Sequence, residues 1–157
     1  MKRRTICMLA GLFLIAALPT WAMQGHDSHG TAQEHNARAE GQSSADGTFK
    51  HRASANGLTA DFQVMLLSSM NLRSDKGETH HIMVTLMRAD SGAPIKDAVG
   101  KIKVIGPGGK EQTGLLKSYS GLLAANFTFS EPGRYGVICL IKTADAKQVF
   151  KFWYPHR

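Results

Sequence analysis

The sequence predicts an all-β domain, a β-sandwich of about seven strands, on two observations. From Phe49 onward, apolar and polar residues alternate with a period of two in short runs, and no helical period is sustained over two turns. Gly, Asn, Asp and Pro separate these runs at regular spacing, as turn residues do between the strands of a sandwich. The roughly 110 residues that follow Gly47 suffice for one domain with a single hydrophobic core.

Seven runs have the character of strands within a domain that we expect to span Phe49 to Tyr154. The predicted strands are Leu58–Leu66, Thr79–Met87, Ala98–Ile105, Glu111–Lys117, Leu122–Phe129, Arg134–Lys142 and Gln148–Tyr154. In the first strand, alternation places Leu66 in the core and Leu67 on the opposite face. The residues expected to be mainly buried are Phe62, Val64, Ile82, Val84, Leu86, Phe127, Tyr135, Val137, Phe150 and Phe152.

The N-terminus has the organisation of a secretory signal peptide. Basic residues precede an apolar run from Ile6 to Leu18, and Ala22 provides a small residue at which cleavage is expected. We therefore predict a signal peptide over 1–22, a disordered His-containing linker over 23–47, and the sandwich domain over 48–157. The apolar run is shorter than the roughly 20 residues of a membrane-spanning helix, so the mature chain is expected to be periplasmic or secreted, without a transmembrane segment.

The charge distribution does not favour nucleic-acid binding, and the cysteine content does not favour a metal–thiolate site. Removing the three basic residues of the leader lowers the formal net charge from +7 to +4, and the remaining lysines are spread along strands and turns. This distribution is typical of a solvated β surface and does not predict nucleic-acid binding. Cys139 is the only cysteine of the predicted mature chain and lies in an apolar run, where we expect it to pack as a small hydrophobic residue.

One predicted strand combines a structural pattern with a chemical one. In the segment Thr79–Met87, aliphatic residues occupy one parity, whereas His81, Met83 and Met87 occupy the other. Imidazole and thioether groups suit soft or borderline metal ions, and Cu(I) in particular. We predict a copper ion bound by His81 and Met83, with His80, Met70 and Met87 as candidates to complete its ligand shell. The other interpretation is that the methionines only fill gaps in packing.

The loop before this strand suggests a hairpin. Pairing Met70 with His80 would place Leu66 opposite Val84 and keep the aliphatic residues of both strands on one face. In a sandwich, this connection could instead cross from one sheet to the other. Both arrangements bring Met70, His80 and His81 to the same end of the domain.

Two turn motifs resemble those of bacterial immunoglobulin-like modules. Gly92–Val99 resembles a G-x-P-(I/V)…A-x-V pattern, although Ala98 and Val99 are adjacent, and Glu131–Val137 contains P-G-x-Y. With its size and leader, the chain looks most like the YtkA-like domains over roughly Leu58 to Tyr154. The resemblance implies a small extracytoplasmic immunoglobulin-like sandwich with Tyr135 at a tyrosine corner, and some YtkA-like domains are associated with copper handling and respiratory-complex assembly.

A second resemblance is to periplasmic copper chaperones of the PCuAC type. Their site uses two His and two Met with an H-x-M element, which His81-Ile82-Met83 matches here. The order of the elements differs, and His51, His80 or His156 would have to provide the first histidine of that pattern.

These observations lead to two function hypotheses. The first is an exported, non-catalytic metal-binding module that binds or delivers copper, with an envelope protein or metal acceptor as its partner. The alternative is an immunoglobulin-like interaction module of the cell envelope without metal, in which Met65, Leu67, Met83 and Met87 form an exposed binding patch. An enzyme is not expected, because no nucleophile–base arrangement and no phosphate-binding loop stands out.

Overall fold

The structure is a computed structural model that describes residues 41–45 and 47–157. The predicted signal peptide and most of the predicted linker lie outside the described residues. Those of the linker that are described include a short strand, Gln42–Ser43, which pairs with the first long strand of the domain. The described fold therefore begins a few residues before position 48.

Within the described part of the chain, the regular structure is ten β-strands and two single 3-10 turns, with no α-helix and no helix long and apolar enough to cross a membrane. The strands are β1 Gln42–Ser43, β2 Phe49–Ala55, β3 Leu58–Leu66, β4 His80–Arg88, β5 Val99–Ile105, β6 Glu111–Leu115, β7 Lys117–Tyr119, β8 Leu122–Phe127, β9 Gly133–Lys142 and β10 Lys147–His156. The 3-10 turns are Ser68–Met70 and Pro107–Gly109. The all-β prediction is confirmed, and the extra strands are mostly short edge pieces such as β1 and β7.

Two antiparallel sheets pack face to face as a sandwich. The six-stranded sheet has the order β1-β2-β3-β4-β8-β7, and the four-stranded sheet has the order β10-β9-β5-β6. β4 is thus a central strand, hydrogen-bonded to β3 on one side and to β8 on the other. The turn between β2 and β3 is formed by Asn56 and Gly57, whose φ angles of 46° and 76° suit a tight hairpin.

The core lies between the two sheets and is built from the inward parity of each long strand. All ten residues predicted to be mainly buried are buried. Aromatic rings dominate one part of this core, where Phe152 lies 5.9 Å from Phe49 and 4.9 Å from Phe62 between ring centroids. Cys139 is also fully buried, and burial raises the pKa of its thiol to about 12. The prediction that it packs as a small hydrophobic residue is therefore confirmed.

Tyr135 forms the tyrosine corner that the P-G-x-Y motif predicts. Its ring is buried, and its hydroxyl donates to the carbonyl oxygen of Glu131 at 3.0 Å while accepting from the Glu131 N–H at 3.1 Å. These two bonds tie the start of β9 to the preceding turn and satisfy the polar end of a buried ring.

The hairpin between β3 and β4 forms, but its register differs from the predicted one. Leu66 lies opposite His80 instead of Val84, so Met70 does not pair with His80. The cause is local, because Met70 donates its N–H to the carbonyl oxygen of Leu67 in a 3-10 turn and so leaves the ladder. The shift is even-numbered, which leaves every predicted strand face unchanged.

The same turn reverses the expected burial of two leucines. Leu66 is 43% exposed and Leu67 only 4% exposed, although alternation had placed Leu66 inside. Period-two alternation applies only while the backbone stays extended, and the chain bends into the 3-10 turn immediately after Leu66.

The tyrosine corner leads to a prediction about stability. Tyr135→Phe keeps the buried ring but removes both bonds to Glu131, so we expect a loss of about 1 kcal/mol in the free energy of unfolding. Tyr119→Phe is the matched control, since Tyr119 is 55% exposed at the sheet edge. Urea unfolding of both variants would measure the difference, and equal midpoints would show that the corner contributes nothing.

Candidate functional site

The candidate ligands lie on β4 and on the loop that leads into it, and they divide between the two faces of the six-stranded sheet. His80 points into the core and is 1% exposed, whereas His81 and Met83 are half-buried on the outer face. Neighbouring residues in a strand project in opposite directions, so His80 and His81 cannot bind one metal ion together.

On the outer face, His81 is held by a side chain of the neighbouring strand. Its Nδ1 lies 2.6 Å from Oδ1 of Asn126, which is also its cross-strand partner on β8. An amide oxygen only accepts, so Nδ1 carries a proton, and Nε2 is the ring nitrogen left to bind a metal ion. Metal-binding histidines are commonly oriented in this way, with one ring nitrogen donating to a carbonyl-type oxygen and the other binding the metal.

Two thioethers flank this imidazole. Met83 follows His81 by two residues on the same face, and Met65 on β3 lies directly opposite His81. Side chains paired across an antiparallel sheet have Cβ atoms about 5 Å apart, and those two apart along a strand about 7 Å. His81, Met83 and Met65 therefore form one cluster, which we call the outer His/Met cluster.

A groove of about 880 Å³ runs over part of this face. His81, Met83 and Asn126 contribute to its lining, and the loop after β3 contributes Glu78. The Glu78 carboxylate accepts a hydrogen bond from the Ser74 hydroxyl at 2.6 Å. The groove therefore brings a nitrogen, a sulfur and a carboxylate side chain to one solvent-accessible surface.

The other predicted methionines lie away from this cluster. Met87 shares the outer face but follows His81 by six residues on β4, which corresponds to about 20 Å along an extended strand. Met70 lies on the 3-10 turn beyond the end of β3 and is half-buried. Met65, Met70 and Met87 all lie outside the lining of the groove, but of these only Met65 is directly opposite His81 on the neighbouring strand.

His80 is the first residue of β4, and its side chain lies among aromatic rings on the inward face of the strand. Its ring centroid is 4.5 Å from that of Phe129, 5.7 Å from that of Tyr154 and 5.0 Å from that of His156. Burial, and to a smaller extent the neighbouring His156, lowers the pKa of His80 from 6.5 to about 4. The imidazole is therefore neutral at pH 7.

Among residues 41–45 and 47–157, no cluster of three or more His, Cys, Asp or Glu side chains is arranged to hold a metal ion. The outer His/Met cluster does not depend on such a group, because two of its three potential ligands are thioethers. Its donor set fits a soft ion and does not fit Zn²⁺ or Ca²⁺, which prefer nitrogen, thiolate or oxygen ligands.

The candidate ligands predicted from the sequence do not include Met65, and Asn126 was not predicted to orient His81. Met65 shows its outward parity in the sequence, but its place beside His81 follows from the β3–β4 register, which was predicted differently. Asn126 could be placed only once β8 was known to pair with β4, and no local pattern indicates that pairing.

The lowered pKa of His80 gives a pH prediction. The unfolded chain binds a proton to His80 below about pH 6.5, whereas the folded chain does so only near pH 4. This contribution to stability is therefore complete above pH 6.5 and is lost as the pH falls towards 4, by at most about 3 kcal/mol. When the pH is lowered from 7 to 4.5, we expect the free energy of unfolding, measured with urea, to fall less in His80→Phe than in the parent chain. Parallel pH profiles for the two proteins would contradict this assignment.

Comparison with known proteins gives similarity at the level of the fold. No protein-family profile matches the chain, and no curated protein sequence does. A copper-bound variant of FetP from uropathogenic Escherichia coli superposes with a TM-score of 0.51 at 13% identity, covering 68% of this chain and 97% of FetP. A DUF4426 family protein from Pseudomonas aeruginosa superposes with a TM-score of 0.54 at 20% identity, covering 67% of this chain and 94% of that one. The chain thus shares a β-fold with two bacterial proteins of low sequence identity to it.

Proposed function

We propose that this protein is an exported, non-catalytic copper-binding module that holds Cu(I) on the outer face of its six-stranded sheet. His81 provides the nitrogen ligand through Nε2, and Met83 and Met65 provide thioether sulfurs. The observation that carries the proposal is the 2.6 Å bond from His81 Nδ1 to Asn126, because it occupies Nδ1 and leaves Nε2 as the ring nitrogen that can bind a metal ion.

The choice of copper follows from the donor atoms. Thioether sulfur is a soft ligand that selects Cu(I), while a lone imidazole would serve several divalent ions equally well. One neutral imidazole and two neutral thioethers add no negative charge, which suits a singly charged ion better than a doubly charged one. The FetP variant contains bound copper, which supports the choice of copper here, although the likeness to FetP concerns the fold alone.

The groove beside the cluster supports a role in delivery. Its lining includes Leu115 and Tyr119, which are 76% and 55% exposed, next to the charged loop residues Arg73 and Lys76. An apolar surface with a charged rim is suited to transient contact with a protein partner. The proposed partner is a copper acceptor of the envelope, which would receive the ion from the open face.

The same exposed side chains favour a second candidate function, an interaction module without metal. The patch first expected for it does not form as a whole, since Leu67 is buried and Met87 lies far along the strand. The exposed apolar side chains of Leu115 and Tyr119 would then form the binding surface without the methionines. Copper affinity decides between the two functions, because only the first requires His81 and Met83.

Thioether replacement tests the copper site. Met65→Leu with Met83→Leu removes both sulfurs while keeping similar volume, so we expect Cu(I) affinity to fall at least 10-fold and Zn²⁺ affinity to change little. Met70→Leu with Met87→Leu is the matched control, because it removes two methionines that lie outside the cluster. Competition with a Cu(I) chelator under anaerobic, reducing conditions would measure both variants. Equal Cu(I) affinity in the two double variants would refute the outer site.

Asn126 provides a separate test of the geometry. Asn126→Ala leaves all three proposed ligands in place but frees the His81 ring to rotate and to exchange tautomers. Loss of such an orienting partner typically lowers metal affinity about 10- to 100-fold. Ser130→Ala serves as the control, since Ser130 is exposed beyond β8. Unchanged Cu(I) affinity in Asn126→Ala would show that His81 does not bind the ion through an oriented Nε2.

A further inference from the structure

His80 has a buried ring nitrogen that no hydrogen bond within the described residues satisfies. The residue is 1% exposed, and within the described residues its Nε2 is fully buried without a hydrogen-bond partner. Leaving such an atom unsatisfied costs about 1–3 kcal/mol, and native structures usually satisfy buried polar groups with protein, water or an ion.

The hydrogen bonds around Thr79 are compatible with a His80 tautomer in which Nδ1 carries the proton. The Thr79 hydroxyl oxygen accepts the N–H of Phe129 at 2.9 Å and lies 3.4 Å from the Phe129 carbonyl oxygen, to which its single hydrogen can be donated. His80 Nδ1, 2.8 Å from the same oxygen, then donates to its remaining lone pair. In this arrangement the Thr79 hydroxyl and His80 Nδ1 are both satisfied, and the unpaired Nε2 presents a lone pair instead of an N–H.

The imidazole of His156 packs directly against that of His80. Its ring is perpendicular to that of His80, with 5.0 Å between the centroids. Two imidazoles bound linearly to one metal ion have ring centroids about 6 Å apart, because the metal–nitrogen bond is about 2.0 Å long. The two rings would therefore separate by about 1 Å to admit a two-coordinate ion between them. His156 is only half-buried near the end of β10, which leaves a route for an ion to reach the pair from solvent.

The surroundings restrict the kind of ion. The rings of Phe129 and Tyr154 pack against both histidines, and aromatic faces attract a cation weakly. Zn²⁺ in structural sites takes four ligands, and among the residues that the structure describes no third His, Cys, Asp or Glu completes a group here. Cu(I) is singly charged and accepts two nitrogen ligands, so it matches both the ligand number and the apolar surroundings.

The geometry points to a second Cu(I) position, formed by Nε2 of His80 and the imidazole of His156 inside the aromatic end of the sandwich. This inner site is separate from the outer His/Met cluster, because the two lie on opposite faces of β4. The protein would then hold two copper ions in different environments, one accessible from the groove and one enclosed by aromatic rings.

Titration of the purified protein with Cu(I) under anaerobic conditions, followed by the imidazole resonances in NMR, tests the inner site. We expect the ring resonances of His80 and His156 to shift together on Cu(I) binding. Binding at the pair should persist in the Met65→Leu, Met83→Leu, His81→Asn variant, which lacks the outer ligands. His156→Phe keeps an aromatic ring against Tyr154, and we expect it to weaken Cu(I) binding at His80 at least 10-fold.

The outcomes separate the inner site from the proposed outer site. Shifts at His80 without any effect of the outer substitutions on affinity would support the inner site and refute the outer one. If the His80 resonances of the parent protein stay unchanged at saturating Cu(I), the inner site is refuted. The test of the outer site by methionine replacement does not depend on that result. The parent measurement needs no substitution, so a poorly folded His156→Phe would not remove the test.

Discussion

The alternation of side chains along β4 determines the chemistry of both faces of its sheet. β4 is hydrogen-bonded on both edges, to β3 and to β8, so its backbone cannot rotate to exchange its faces without breaking two ladders. Ile82, Val84 and Leu86 are each at most 1% exposed, which makes the inward face the energetically dominant one. The burial of three aliphatic residues therefore forces His81 and Met83 outward and His80 inward.

This constraint gives the two histidines different environments although they are adjacent in sequence. His81 faces a groove and is oriented by Asn126, so its free nitrogen is available at the surface. His80 faces aromatic rings, and burial lowers its pKa to about 4. Different interactions therefore control the two imidazoles. A hydrogen-bonded amide orients His81, whereas desolvation keeps His80 uncharged.

The aromatic end of the core connects the fold to the inner histidine. Tyr135 stacks on Phe129 at 4.4 Å, and Phe129 in turn lies 4.5 Å from His80. The Tyr135 hydroxyl is bonded to the backbone of Glu131, so its single hydrogen is already donated there. The tyrosine corner thus stabilises the turn before β9 and at the same time leaves the environment of His80 largely apolar.

The sequence by itself determined the local features of this protein. Except for Leu66 at the end of β3, alternation predicted which residues of β3, β4, β9 and β10 are buried. The Asn56-Gly57 motif predicted a hairpin turn, and the resemblance carried by P-G-x-Y implied the tyrosine corner, because each depends on residues close together in the chain. Only the tertiary structure decided which side chains meet. Met65 lies beside His81 and Asn126 orients it through strand pairing, whereas His156 approaches His80 through packing between the two sheets. The physical reason is that a period of two specifies the face of a residue but not its neighbour on the next strand. That neighbour depends on register, which here was set by a 3-10 turn at Ser68–Met70 that the alternation does not encode.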